Sequence, residues 1–160
     1  MARELCIFWT GRRRSGPWEA LCADYRSRIE RDLPVRDIVL RPESSKDLER
    51  RMQLEAEAVR KRLPEPTWLV VLDRSGRSYS SQDLASWLGR RIEEWPHAIS
   101  FVIGSDIGLA GGLVKAARTR LSLGPLTLPH QLARLILYEQ LYRALSILNG
   151  IKYHRQPLST

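Results

Sequence analysis

Hydrophobic and polar positions alternate along this chain between two patterns, short apolar runs and longer amphipathic stretches. Leu5-Cys6-Ile7-Phe8-Trp9, then Trp68-Leu69-Val70-Val71-Leu72, then Ile99-Ser100-Phe101-Val102-Ile103 are compact apolar runs, the pattern of strands, and Val35 to Leu40, between Pro34 and Pro42, reads as another strand after the first. Between them lie stretches with helical spacing. A helix over 17–32 starts with Pro17 in its first turn and is stopped by Pro34. In the segment 46–63, preceded by a Ser44-Ser45 cap, Leu48, Met52, Ala56, Val59 and Leu63 recur every three or four residues and form one buried stripe, ended by Pro64 and Pro66. A third helix, capped by Ser80 or Ser81, runs to about Trp95 and is closed by Pro96. Strands that alternate with helices predict an α/β fold: a mainly parallel sheet with helices on both faces, in one domain over 1–160.

The last third of the chain is the most informative. The nearly continuous run Ile99 to Ile103 suits a strand covered on both faces, and Gly104-Ser105-Asp106-Ile107-Gly108 ends it in a tight turn. In open α/β sheets, ligands bind beyond the carboxyl ends of the strands, so a binding loop belongs there. A second loop of small and apolar residues follows. The final helix, over 131–149, carries apolar side chains around most of its circumference and must be covered on more than one side. In a domain of this size a second copy of the chain is expected to supply part of that cover, which predicts a homodimer.

At 160 residues the chain can form one real core, burying roughly 70% of its unfolded surface. Basic residues outnumber acidic ones 26 to 18, a net charge of +8. Only four of the basic residues are lysines. Arg12-Arg13-Arg14, Arg50-Arg51, Arg60-Lys61-Arg62 and Arg90-Arg91 are clusters suited to phosphate, and nucleic acid is the partner this balance favours. Cys6 and Cys22 lie in apolar stretches without a CxxC or a neighbouring histidine, so packing thiols are expected and no metal site. No stretch approaches a membrane span and the first apolar run is too short for a secretory leader, which predicts a soluble, cytoplasmic protein with no membrane partner. There is no GxxxxGK[ST] and no GxGxxG after the first strand, which argues against nucleoside triphosphates and against a dinucleotide-dependent oxidoreductase.

Three segments carry a resemblance. The first is Leu72-Asp73 with Gly76-Arg77 and Ser80-Ser81-Gln82; the second is Ile103-Gly104 with Gly108-Leu109. The third runs from Leu126-Thr127-Leu128-Pro129-His130 through Glu139, Leu141-Tyr142-Arg143-Ala144 and Ser146-Ile147 to Tyr153-His154-Arg155. Together they resemble the ribosomal RNA large subunit methyltransferase H family of the SPOUT superfamily. The resemblance extends over essentially the whole chain and is sharpest from Leu69 onward. It implies a homodimer, a C-terminal trefoil knot, S-adenosylmethionine as cofactor, and methyl transfer to N3 of a pseudouridine in large-subunit rRNA, within the ribosome.

Carried over position by position, the resemblance places cofactor contacts on Leu72, Gly104 and the loop Leu123, Gly124, Pro125, Leu126, Thr127 and Leu128. Glycines there allow close backbone approach, and leucines can sandwich a purine. His154 is the candidate for contacting the target base, Tyr153 for packing on it and Arg155 for a phosphate or carbonyl, with Arg12 and Arg13 on the RNA. His154, Arg155 and Asp106 are the candidates for catalytic roles, because the imide nitrogen must lose its proton. His130 reads equally as a structural histidine, and His97 as loop surface. The family usually has Gly-Gly-Pro-Glu-Gly where this chain has Gly104 to Gly108, so Ile107 stands where the family has glutamate. Ser105 and Asp106 are alternatively caps for a helix starting near Leu109. The tail 156–160 is a second departure. The competing reading is a catalytically impaired RNA-binding protein of ribosome assembly on the same fold.

Overall fold

A computed structural model describes Ala2 and residues 4–155; the tail at 156–160 lies outside the described residues. Five parallel strands form one sheet in the order β2-β1-β4-β3-β5. In chain order the elements are β1 (Leu5–Thr10), α1 (Pro17–Ile29), β2 (Val35–Leu40), α2 (Leu48–Arg62), β3 (Thr67–Ser78), α3 (Ser81–Glu94), β4 (Ala98–Ile103), α4 (Gly111–Ala116), β5 (Thr119–Ser122) and α5 (His130–Leu148). The expected α/β class, with a parallel sheet covered on both faces, is what the chain adopts. Strands β1 and β4 are buried along their whole length, as their continuous apolar runs require.

Side-chain alternation divides the core in two. Leu5, Ile7 and Trp9 of β1 join Cys22, Leu88, Leu137 and Leu141 on the face covered by α1, α3 and α5. Cys6 and Phe8 point the other way, to Ala56, Val59 and Leu113 of α2 and α4. Both cysteines are free and buried. Helix α5 packs against α1, α3 and the sheet strands β1 and β4, which bury Leu137, Tyr138, Leu141 and Leu145, while Leu135, Ile136, Tyr142 and Ile147 stay half-buried and Leu148 is exposed. Trp18 and Leu21 of α1 and Ile151 after α5 are exposed as well.

Strand β5 was not apparent in the sequence. Thr119-Arg120-Leu121-Ser122 is a four-residue segment with its arginine exposed and only Leu121 and Ser122 buried, too short and too charged to read as a strand, yet it pairs with β3 at the sheet edge. Strand β3 runs past Leu72 to Ser78, with a break in register between Leu72 and Arg77 where Asp73 to Gly76 bulge out. Gly76 is required there, since a Cβ would lie 2.6 Å from the Arg120 carbonyl oxygen. The helix caps also differ in detail. Asp47, rather than the Ser44-Ser45 pair, caps α2, accepting hydrogen bonds from the Glu49 and Arg50 amides at 3.0 and 3.3 Å. Ser80 caps α3 through the Asp83 amide at 3.0 Å.

Candidate active site

The carboxyl ends of β3, β4 and β5 open into one cleft of about 710 Å³. Three loops make it. After β4, Gly104 to Gly108 form one wall; the bulge of β3 contributes Leu72, Asp73 and Arg74; the segment after β5 contributes Leu123, Gly124, Leu126, Thr127 and Leu128. Of the residues carried over as cofactor contacts, all but Pro125 line this cleft. Leu72, Leu123 and Leu128 are half-buried against the core, whereas Leu126 is 74% exposed, an apolar side chain with nothing of its own chain to cover it.

Short polar contacts fix the loops relative to one another. Arg74 donates to Thr127 Oγ1 at 2.8 Å, tying the β3 bulge to the segment after β5. Ser122 Oγ donates to the Arg74 carbonyl at 3.1 Å and accepts from the Gly124 amide at 3.0 Å. Gly124 sits at φ 114°, a conformation that a side chain disfavours. Gly104 lies where a Cβ would come within 3.0 Å of the Gly108 carbonyl carbon, so the wall closes tightly on itself.

The departure from the family pattern has a structural counterpart. Ser105 and Asp106 do not cap α4, whose N-cap Ala110 makes no side-chain cap bond. They are held by α2 instead. Ser105 Oγ donates to the buried Glu55 at 2.8 Å, Arg51 Nε donates to Glu55 at 3.4 Å, and the Arg51 guanidinium also pairs with Asp106. Asp106 thus lines the cleft while its carboxylate is bound to Arg51, and Ile107 presents an apolar side chain to the same space.

The Tyr153-His154-Arg155 segment is elsewhere. It does not line the cleft of its own chain but lies on the outer face of α1 and α5. There the Tyr153 hydroxyl meets Tyr25 at 3.1 Å and Glu139 at 3.2 Å, its ring stands edge-on to Tyr142 at 4.7 Å, and His154 Nδ1 is 3.2 Å from Arg143. His154 Nε2 is buried with no partner among the described residues. Burial, reinforced by the Tyr25 hydroxyl and the Glu139 charge, raises the Tyr153 hydroxyl pKa above its usual value, so it stays protonated. Sequence reasoning did not anticipate this separation, which depends on how α5 returns across the sheet.

Arg13 and His130 also find positions the sequence did not give. Arg13 is not a free cation: it pairs with Asp37 at 2.7 Å and Glu19 at 2.8 Å. His130, at the start of α5, lines the cleft and approaches Gly11, where a Cβ would lie 3.2 Å from its Nε2. The signal for His130 was its place directly after the Thr-Leu-Pro segment. His97 is exposed, as expected. Among the described residues no cluster of three metal-binding side chains occurs, and no helix is long and apolar enough to cross a membrane.

The fold is a parallel α/β sheet with an apolar, glycine-walled cleft at its rim, and residues 4–154 match the family described as "Predicted SPOUT methyltransferase": the chain belongs to that family. Among curated relatives, "Ribosomal RNA large subunit methyltransferase H" of Solidesulfovibrio magneticus is 43% identical over 152 residues, covering 95% of this chain and 99% of the relative. The protein of the same name from Rubrobacter xylanophilus is also 43% identical, over 96% of this chain and 99% of its own. In fold, the chain is similar to a solved structure described as a probable methylase family protein from Haemophilus influenzae, with a TM-score of 0.53 at 15% identity, covering 99% of this chain and 73% of that one.

Proposed function

We propose that this protein is an S-adenosylmethionine-dependent methyltransferase that modifies N3 of a pseudouridine in large-subunit rRNA, acting as a homodimer with a knotted C-terminal segment. The observation that carries this reading is the convergence of Leu72, Gly104 and the residues 123, 124 and 126–128 on one cleft, together with relatives named for rRNA methylation over nearly their full length. The cleft suits the cofactor's chemistry. It offers half-buried leucines for an adenine face, glycine-bearing loops for close backbone approach, and no lysine aimed at a phosphate that this cofactor lacks.

When bound, S-adenosylmethionine supplies a methyl group already activated by its sulfonium. Positioning then accounts for much of the rate, and the chain's residues have that task. Leu72, Leu126 and Leu128 would pack on the purine and the turns at Gly104 and Gly124 would let backbone amides approach it, while Arg74 holds Thr127 in place. Two acidic side chains line the cleft, Asp73, which accepts from Ser75, and Asp106, which Arg51 orients. Tyr153, His154 and Arg155 lie outside the cleft of their own chain, so in the proposed dimer they act at the partner's cleft, with His154 at the target base and Arg155 at a carbonyl or phosphate. Trp18 and Leu21 of α1, Leu148 of α5 and Ile151 after it are exposed apolar residues that such a dimer would cover.

The test is mass spectrometry of rRNA from a deletion strain before and after complementation. One methylated pseudouridine is expected to disappear and return, and an unchanged rRNA would sink the reading. The second reading, a binding protein without catalysis, is favoured by Ile107 where the family has glutamate. It predicts that wild-type protein leaves rRNA unmethylated while Ile107→Glu gains activity.

A further inference from the structure

A second cavity, of about 590 Å³, lies at the carboxyl ends of β1 and β2, on the same rim of the sheet as the cofactor cleft. Three arginines line it, Arg12, Arg13 and Arg41, over an apolar floor of Val39 and Pro42. They are not equivalent. Arg13 is neutralised by Asp37 and Glu19, whereas Arg12 and Arg41 are exposed and make no ion pair among the described residues. Two uncompensated guanidinium groups facing one cavity repel each other, an arrangement that an anion relieves.

The position of the cavity specifies which anion. Gly11 belongs to its wall, and the other side of Gly11 touches Trp9 and His130: a Cβ there would lie 2.7 Å from the Trp9 ring and 3.2 Å from His130 Nε2. His130 in turn lines the cofactor cleft. A single glycine and histidine therefore separate the basic cavity from the cleft. The strand that carries a nucleotide into the cleft extends beyond it, and the basic cavity adjoins the cleft across this partition.

We propose that Arg12 and Arg41 form a phosphodiester subsite for the RNA strand that presents its target nucleotide to the adjoining cleft, with Arg13 acting as a positioning residue anchored on Asp37 rather than as an RNA contact. The subsite rests on the reading of the protein as an rRNA methyltransferase and adds to it the residues that seat the backbone. Each phosphate neutralised releases counterions, so the contribution of the pair is read in the salt dependence of binding.

The experiment measures binding to purified large ribosomal subunits over a range of KCl concentrations, with methyl transfer followed in the same samples and cofactor affinity measured by calorimetry. Arg12→Ala with Arg41→Ala is expected to weaken binding by roughly tenfold and to lower the slope of log K against log salt by about one to two, with cofactor affinity unchanged. Arg12→Lys with Arg41→Lys retains the slope. Arg31→Ala with Arg36→Ala removes the same charge from exposed sites between α1 and β2 and at the start of β2, at the amino ends of the strands, and leaves the slope as in the wild type. An unaltered slope in the first variant, or an equal fall in the Arg31 and Arg36 variant, overturns the subsite. A wild type that binds subunits with the expected slope yet transfers no methyl group overturns the enzymatic reading and leaves the subsite standing. Wild-type methylation with an unaltered slope in the Arg12 and Arg41 variant does the reverse.

Discussion

Arg134 of α5 and Asp37 of β2 meet in the interior as an ion pair of 2.8 Å, joining the last helix to the second strand. Both side chains are buried, and Asp37 is fully enclosed. Its carboxylate also accepts from Trp9 Nε1 at 2.7 Å, from Arg13 at 2.7 Å and from the Tyr138 hydroxyl, while the Arg134 guanidinium stacks 4.2 Å over the Trp9 ring and donates to Glu19 at 3.0 Å. One carboxylate thus helps to set the position of the helix whose first residue, His130, borders the cleft at the ends of β3, β4 and β5. Removing one partner leaves the other buried charge with only a more exposed second partner, Arg13 for Asp37 and Glu19 for Arg134, so Asp37→Ala and Arg134→Ala are each expected to cost at most about 3–5 kcal/mol in urea denaturation. The double variant should cost much less than the two effects added together. Simple additivity would show the pair to be uncoupled.

The same carboxylate predicts the acid limb of stability. Burial alone would raise the Asp37 pKa, but hydrogen bonds from Tyr138, Trp9 and Arg134, with the Arg134 charge, outweigh it and hold the pKa below the usual carboxylate value. A group lowered on folding stabilises the protein above its unfolded pKa, roughly 3.9 for aspartate, and that contribution is lost as pH falls through the folded value. The gap in unfolding free energy between wild type and Asp37→Asn should therefore be constant near neutrality and shrink below about pH 4. A gap that widened in acid would contradict the assignment.

Cys6 and Cys22 give the alkaline counterpart. Burial, the largest influence on each, pushes both thiols up to about 11. In the folded protein neither should react with a thiol reagent at about pH 8, and both should react on unfolding. Because their pKa values are raised on folding, the stabilisation they reflect is intact below the unfolded thiol value of roughly 8.5 and fades as pH rises towards 11. Rapid labelling of the native protein would contradict their burial.

Leu126 separates cofactor binding from folding. It is 74% exposed on the cleft wall, so Leu126→Ala should leave the melting temperature unchanged yet weaken S-adenosylmethionine by about tenfold, the worth of one apolar side chain covered by a ligand. Gly124→Ala, at φ 114°, should lower both stability and affinity. Calorimetry paired with thermal melts distinguishes the two, and an unchanged affinity in both variants would remove the cleft from consideration as the cofactor site.

If the cleft of one protomer works with the Tyr153 to Arg155 segment of the other, variants of the two should complement. Gly104→Asp and His154→Ala dimers should each be inactive alone. Mixed dimers carrying one of each should regain methyl transfer, through the one cleft served by an intact segment. Mixed dimers no better than the parents would place the segment and the cleft in the same chain.

Most of the architecture followed from periodicity. Apolar runs alternating with stretches bounded by prolines and caps gave four strands and four long helices in order, because a parallel sheet covered on both faces buries its inner strands continuously while prolines and capping residues end the helices between them. The short β5 escaped, since an edge strand of four residues has too few buried positions to set a period. The family resemblance located the cleft residues, because backbone approach and apolar packing depend on glycines and leucines that motifs preserve.

The sequence by itself thus determined the fold class, the order of its long elements and which loops meet at the cleft, since those depend on patterns local in the chain. Only the tertiary structure decided what the charged and terminal residues do. Arg13 became a buried network's anchor because β2 brought Asp37 to it, Asp106 was claimed by Arg51 of α2, and Tyr153 and His154 were drawn onto α1 and α5 and away from their own cleft. A charged or aromatic side chain takes its role from whichever partner the folded chain sets beside it, and those partners lie up to 128 residues away in sequence, beyond the reach of any local pattern.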